Sequence, residues 1–153
     1  MDVNLRSAFS LISYFKDLLI QCNGCVVNLG CEKGSRPDPG ALGYSMVKAG
    51  IEMLTKSAAV GFAKNGVRVN AVAPSFVDTN LYRYSGLSES DIRRLGAEEC
   101  NKTPLKRQFV GNPLGEARMR QVQKEEVAKA VIFLTSEQAL KITGHVMHVD
   151  GGR

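Results

Sequence analysis

No apolar run in the chain approaches the ~20 residues that a membrane-spanning helix requires. Its opening, Met1-Asp2-Val3-Asn4, lacks the basic residues that begin a secretory signal. Both absences point to a soluble, cytoplasmic protein without a membrane partner. Histidine and cysteine are scarce, at 2 and 4 residues. On paper Cys22-x-x-Cys25 and His145-x-x-His148 could make a zinc set. Cys25 opens an apolar strand, however, and strand alternation sends the two histidines to opposite faces. No metal is expected, and the cysteines read as free thiols of an intracellular protein. Acidic residues are the minority, 15 against 20 basic, for a net charge of +5. The excess gathers in Lys102, Lys106, Arg107, Arg118, Arg120 and Lys124, with no interleaved aromatics to stack on bases. A solvated basic loop is the reading, and no nucleic-acid partner is expected.

Hydrophobic residues make up 44% and charged residues 23% of the 153 residues, the balance and length of one globular domain spanning 1–153. Neither an internal repeat nor a linker divides it. Leu5, Phe9, Ile12, Phe15 and Leu19 recur at helical spacing, which predicts a helix over 4–22 stopped by Asn23-Gly24. A short apolar run at 25–30 reads as a buried parallel strand, followed by a loop punctuated by Gly34, Pro37, Pro39 and Gly40. A helix over 44–64 has Val47, Ile51, Leu54, Ala58 and Phe62 on its core stripe, and Asn65-Gly66 stops it. Met46, Gly50 and Met53 give it a second apolar face, suited to a partner helix.

A second strand is expected over 67–73, and a polar, irregular stretch follows Thr79. Ser88 starts a short helix ending near Cys100, with Leu87 and Ile92 spaced as a hydrophobic staple. Residues 101–123 read as a mobile surface loop. A helix over 125–136, with Val127, Val131 and Leu134 inward, and a strand over 145–149 complete the chain. Alternating helix and strand predict an α/β fold with a parallel sheet. Three strands leave one sheet edge open, which favours self-association.

Tyr44 and Lys48 lie four residues apart at the head of the second long helix, and so share a face. A phenol with an ordinary pKa of ~10 is a poor acid/base at neutral pH. A fixed positive charge beside it favours the phenolate, so Lys48 is expected to lower the Tyr44 pKa.

Several further pieces stand in a fixed order around this pair: Asn4-Leu5, Val26-Val27-Asn28, Arg68-Val69-Asn70 with Pro74 and Thr79, and Asp150-Gly151-Gly152. Together they resemble the carboxyl-terminal half of the short-chain dehydrogenase/reductase family. The resemblance implies the corresponding part of a Rossmann-like, doubly wound parallel sheet. It implies an oxidoreductase that moves a hydride between NAD or NADP and a small carbonyl or secondary alcohol. Tyr44 would be the acid/base, and Lys48 would also hold the nicotinamide ribose.

Asn4 matches the asparagine supporting a proton relay, or else caps the first helix. Cys31, thirteen residues before Tyr44, occupies the place of the family serine that hydrogen-bonds the reacting carbonyl. A thiol donates weakly, so polarisation is expected to suffer; nothing in the spacing recommends the nearby Ser35 instead. Pro74, Val77 and Thr79 match cofactor-contacting positions, with a strand-end valine and a helix-capping threonine as the structural alternatives. Ser75 stands where the family has glycine and would crowd the backbone near the nicotinamide.

Arg68 reads as an outward-facing strand residue, Asn28 as satisfied within the sheet, and Asp150-Gly151-Gly152 as a plain turn. No glycine-rich cluster of the kind that receives a dinucleotide pyrophosphate precedes Tyr44. The residues that select NAD or NADP follow the second strand of such a fold, outside the part matched here, so the choice is not written in the chain. The resemblance also implies a homo-oligomer through helices 4–22 and 44–64. The rival reading is a truncated, non-catalytic remnant, acting as an interaction module or unstable.

Overall fold

The computed structural model describes residues 1–105 and 121–153. Three parallel strands, β1 (Cys25–Leu29), β2 (Arg68–Pro74) and β3 (Val146–Val149), lie in the order β1-β2-β3. Val26 pairs with Val69, and Ala71 with Val146. Val69, Ala71, Val72 and Ala73 of β2 are fully buried. This continuous apolar run marks a central strand covered on both faces. Helix α3 (Leu42–Phe62) covers one face, where Ala59 joins Val67 and Val69 in the core. Strand alternation sends Arg68 to the other face, under α6 (Lys124–Thr135). There its guanidinium donates to the Leu134 carbonyl at 2.7 Å and the Ser136 carbonyl at 3.5 Å. Arg68 therefore satisfies orphan carbonyls at a helix end.

Along α3 the buried residues are Val47, Lys48, Ile51, Glu52, Thr55 and Ala59. The stripe begins as expected and then rotates one position, so that Leu54, Ala58 and Phe62 are half-buried. A threonine is admitted because its hydroxyl is fully used. Thr55 Oγ1 donates to the Ile51 carbonyl at 2.8 Å and accepts from Asn28 Nδ2 at 2.9 Å. Asn28 is thus satisfied by the helix and not within the sheet. Of the second apolar face, Met46 and Met53 are exposed, but a Cβ on Gly50 would come within 2.8 Å of Leu5. That glycine is taken by the chain's own first helical segment.

The expected single helix over 4–22 is three pieces: a π turn at Asp2–Arg6, α1 (Ser7–Tyr14) and α2 (Lys16–Gln21). Phe15, at φ −90° and ψ 8°, separates the last two. Ser7 Oγ donates to the Val3 carbonyl at 2.6 Å, the kind of back-bonding that distorts a first turn. The stops hold: Asn23 has φ +47° and Gly66 φ +74°.

Beyond β2 the structure adds α4 (Asn80–Tyr84) in the stretch read as irregular, and α5 (Glu89–Lys102) begins at Ser88, whose hydroxyl accepts from the Asp91 amide at 3.2 Å. The loop expected over 101–123 is shortened by the end of α5; its remainder, with Lys106, Arg107, Arg118 and Arg120, lies mainly outside the described residues. Among the described residues no helix is long and apolar enough to cross a membrane.

Candidate functional site

The loop after β1 continues the sheet through Gly30, whose amide donates to the Val72 carbonyl at 2.8 Å. It then turns at Cys31 and crosses α3 at Gly34. A Cβ there would stand 2.9 Å from the Lys48 carbonyl, so only glycine lets the loop lie on the helix at this level. The same crossing places Cys31 beside Tyr44.

Two openings flank the first turns of α3. One is a cavity of about 450 Å³ whose lining includes Cys31, Glu32, Tyr44, Ser75, Tyr82 and Glu99. The other is a groove of about 460 Å³ along β1 whose lining includes Asn4, Ser7, Phe15, Val27, Leu29 and Lys48. Lys48 joins them. Its Nζ donates to the Leu29 carbonyl at 2.9 Å and lies 5.5 Å from the centre of the Tyr44 ring.

The electrostatics differ from the sequence expectation. Burial raises the Tyr44 pKa well above that of an ordinary phenol, and the charge and hydrogen bond of Cys31 raise it further. Burial lowers the pKa of Lys48, with Cys31 opposing. Lys48 therefore does not depress Tyr44 in this geometry, because desolvation of a half-buried phenol outweighs one partly buried ammonium. The phenol is held as a neutral proton donor. Tyr82 is pushed up to about 12, by burial first and then by Cys31, Glu32 and Asp78.

The remaining predicted residues scatter. Asn4 sits in the π turn, whose N-cap is Met1 with no side-chain cap, so it is not the cap; it lines the groove on the Lys48 side. Pro74 ends β2 opposite Val149. Thr79 caps α4, accepting from the Leu81 amide at 3.4 Å, and neither it nor Val77 lines the cavity or the groove. Ser75 keeps strand pairing through its amide to the Val149 carbonyl at 3.2 Å. Its backbone has no positive φ, so the strand geometry itself does not require glycine at this position.

Ser35 is occupied elsewhere, donating to Glu52 Oε1 at 2.8 Å. Asp150 is more than a turn residue. It is buried, it caps the Gly152 amide at 2.9 Å, and Arg36 pairs with it at 3.4 Å.

Sequence reasoning missed Glu32, Glu99, Tyr82 and Arg153. Arg153 bridges the two carboxylates, reaching Glu32 Oε1 at 2.8 Å and also contacting Glu99. A carboxylate in a loop rich in glycine and proline carries no signal of burial when its cation lies 121 positions away.

The family model described as enoyl-(acyl carrier protein) reductase matches residues 1–153. The chain is similar to a 3-oxoacyl-(acyl-carrier-protein) reductase of Chlamydia muridarum, 35% identical over 153 residues, covering 99% of this chain and 54% of that protein. It is similar to a galactitol 2-dehydrogenase of Rhizobium johnstonii, 35% identical over 156 residues, with 99% and 54% covered. Among solved structures it resembles an oxidoreductase of the short-chain dehydrogenase/reductase family from Burkholderia thailandensis, with a TM-score of 0.79 and 25% identity. The match covers 99% of this chain and 53% of that one. The chain spans about half the length of the curated relatives it matches. Its sheet order, the Tyr44–Lys48 pair between two openings and a family match over every residue lead to one assignment: the chain belongs to the short-chain dehydrogenase/reductase family.

Proposed function

We propose that this chain supplies the proton-handling and substrate-side part of an NAD(P)-dependent oxidoreductase acting on a carbonyl or secondary alcohol. The observation that carries this reading is the position of Lys48. Its ammonium is anchored on the end of β1, against the Tyr44 ring, and lines the groove on the side away from the cavity. One of its three donors is spent on the Leu29 carbonyl, which leaves two for ribose hydroxyls. The carboxyl ends of parallel strands are also where an open α/β sheet receives a nucleotide. These residues fit a nicotinamide nucleotide. Lys48 and Tyr44 would hold the ribose; a cofactor role for Pro74, Val77 and Thr79, which line neither opening, rests on the family match alone. When bound, the dinucleotide supplies or accepts the hydride.

The protein's own part is the proton. In reduction, the neutral Tyr44 hydroxyl donates its proton to the substrate oxygen; in oxidation, the phenolate removes the proton from the alcohol. The test fuses the 153 residues to the amino-terminal half of the Chlamydia relative. NAD(P)H oxidation is then followed at millimolar cofactor with a panel of neutral ketones. A folded fusion that turns over none of them would defeat the reading.

A second reading has one specific observation in its favour. Phe9, Leu11, Met46 and Met53 are each more than half exposed, on α1 and α3. A protein that leaves such surface bare associates through it. We propose that two copies of the chain pair through these helices, whether or not they catalyse. Met46→Lys together with Met53→Lys is expected to shift the sedimentation profile towards monomer. An unchanged profile would show that association, if any, uses the free edge of β1.

A further inference from the structure

Cys31 occupies the serine's place beside Tyr44 on the cavity lining but is a weak donor. A carbonyl oxygen accepting the proton of Tyr44 would then lack a second donor as negative charge develops on it. The cavity lining offers one. Tyr82 lines the same cavity as Cys31 and Tyr44. Its ring stacks on the buried Phe76, with centroids 4.6 Å apart and planes at 25°.

The short helix that carries it is pinned at both ends. Thr79 caps its start. Arg83 holds Asp78 at 2.9 Å and Glu89 at 2.7 Å, and the Leu87 amide returns to the Tyr82 carbonyl at 3.3 Å. Among the described residues, no group hydrogen-bonds the half-buried Tyr82 hydroxyl, so the donor is free for a ligand in the cavity. A rigid, unpartnered donor on the wall of a reaction cavity is suited to stabilising charge, because it needs no reorganisation when charge appears.

We propose that Tyr82 donates the second hydrogen bond to the substrate's carbonyl oxygen, taking over the polarising role that Cys31 fills poorly. This rests on the reading of Tyr44 as the acid/base, and adds to it the group that lowers the cost of negative charge on the same oxygen. No bond is made or broken at Tyr82. The proton moves from Tyr44, and Tyr82 keeps its own, as a phenol with a pKa near 12 does throughout the neutral range. The location of Tyr82 outside the family's motif explains how the serine position can tolerate a thiol.

The test uses the 153-residue protein and cyclohexanone carrying ¹³C at its carbonyl. A carbonyl that accepts hydrogen bonds in the cavity moves its ¹³C resonance downfield. Tyr82→Phe, which keeps the ring stack, is expected to lose a large part of that displacement. Cys31→Ala is expected to keep most of it, and Tyr44→Phe with Tyr82→Phe to abolish it. In wild-type protein labelled with ¹³C at the tyrosine ζ carbons, the Tyr82 resonance is expected to move on ketone addition, a readout that depends on no variant. A displacement that survives Tyr82→Phe but falls with Tyr44→Phe or Cys31→Ala overturns the role of Tyr82 alone, as does an unmoved Tyr82 resonance. No carbonyl displacement in the wild-type protein overturns the carbonyl-site reading itself, and Tyr82 with it.

Discussion

Tyr44→Phe is expected to lower the turnover of the completed enzyme by ~10²–10⁴-fold, the range for loss of a positioned proton donor. The change deletes one oxygen and leaves the ring under Lys48, so the groove and the fold should survive. The pH profile provides the sharper reading. Burial and Cys31 hold the phenol protonated, and the protonated form is the one that reduction needs. Reduction should therefore be level through neutral pH and fall only on the alkaline side, whereas oxidation, which needs the phenolate, should climb with pH. A variant that keeps more than about a tenth of the rate, judged against that range, would remove Tyr44 from the chemistry.

The raised pKa of Tyr82 adds a stability signature of the same sign. A group whose pKa is ~10 unfolded and about 12 folded stabilises the fold fully below pH 10. That contribution is lost as pH rises through 12, and thermal melts across this window should show the decline.

Titrated with NADH or NADPH, the 153 residues alone should bind at least ~100-fold more weakly than the fusion, about 3 kcal/mol at room temperature. The reason is chemical. A dinucleotide's largest charge is its pyrophosphate, which this fold family seats on a glycine-rich turn at a helix N-terminus. The chain holds no such cluster before Tyr44. What it can offer is the ribose end, through Lys48, and one ammonium with two spare donors cannot replace a helix N-terminus and a backbone cradle. Calorimetry settles the matter. Affinity equal to that of the fusion would mean that the groove along β1 takes the dinucleotide by contacts other than those of the family.

Several elements could be read directly from the chain because their causes are local. The Tyr44–Lys48 pair is one helical turn apart whatever surrounds it. Asn23 and Gly66 end their helices because the left-handed region is cheap for those two residue types. Ser88 caps α5 because a short hydroxyl side chain can reach an amide three residues on. The apolar run of β2 announces a central strand without any knowledge of its neighbours.

Other features have causes that are not local, and only the tertiary structure decided them. The stripe of α3 rotates because Asn28, from another element, satisfies Thr55. The close fit of Gly50 against Leu5 follows from how the first helical segment lies on α3. The shift at Tyr44 runs upward because the cavity desolvates the phenol more than Lys48 can offset. That balance depends on burial, and spacing does not report burial.

Glu32 is buried because Arg153 reaches it across 121 positions, and Tyr82 faces the site because a five-residue helix is folded back over Phe76. The residue order thus determined the family, the strands, the caps and the shared helix face of Tyr44 and Lys48, which follow from residue types and spacing. Packing between distant segments determined which charges are paired, which protonation states hold and which phenols line the cavity, since desolvation and ion pairing act through space.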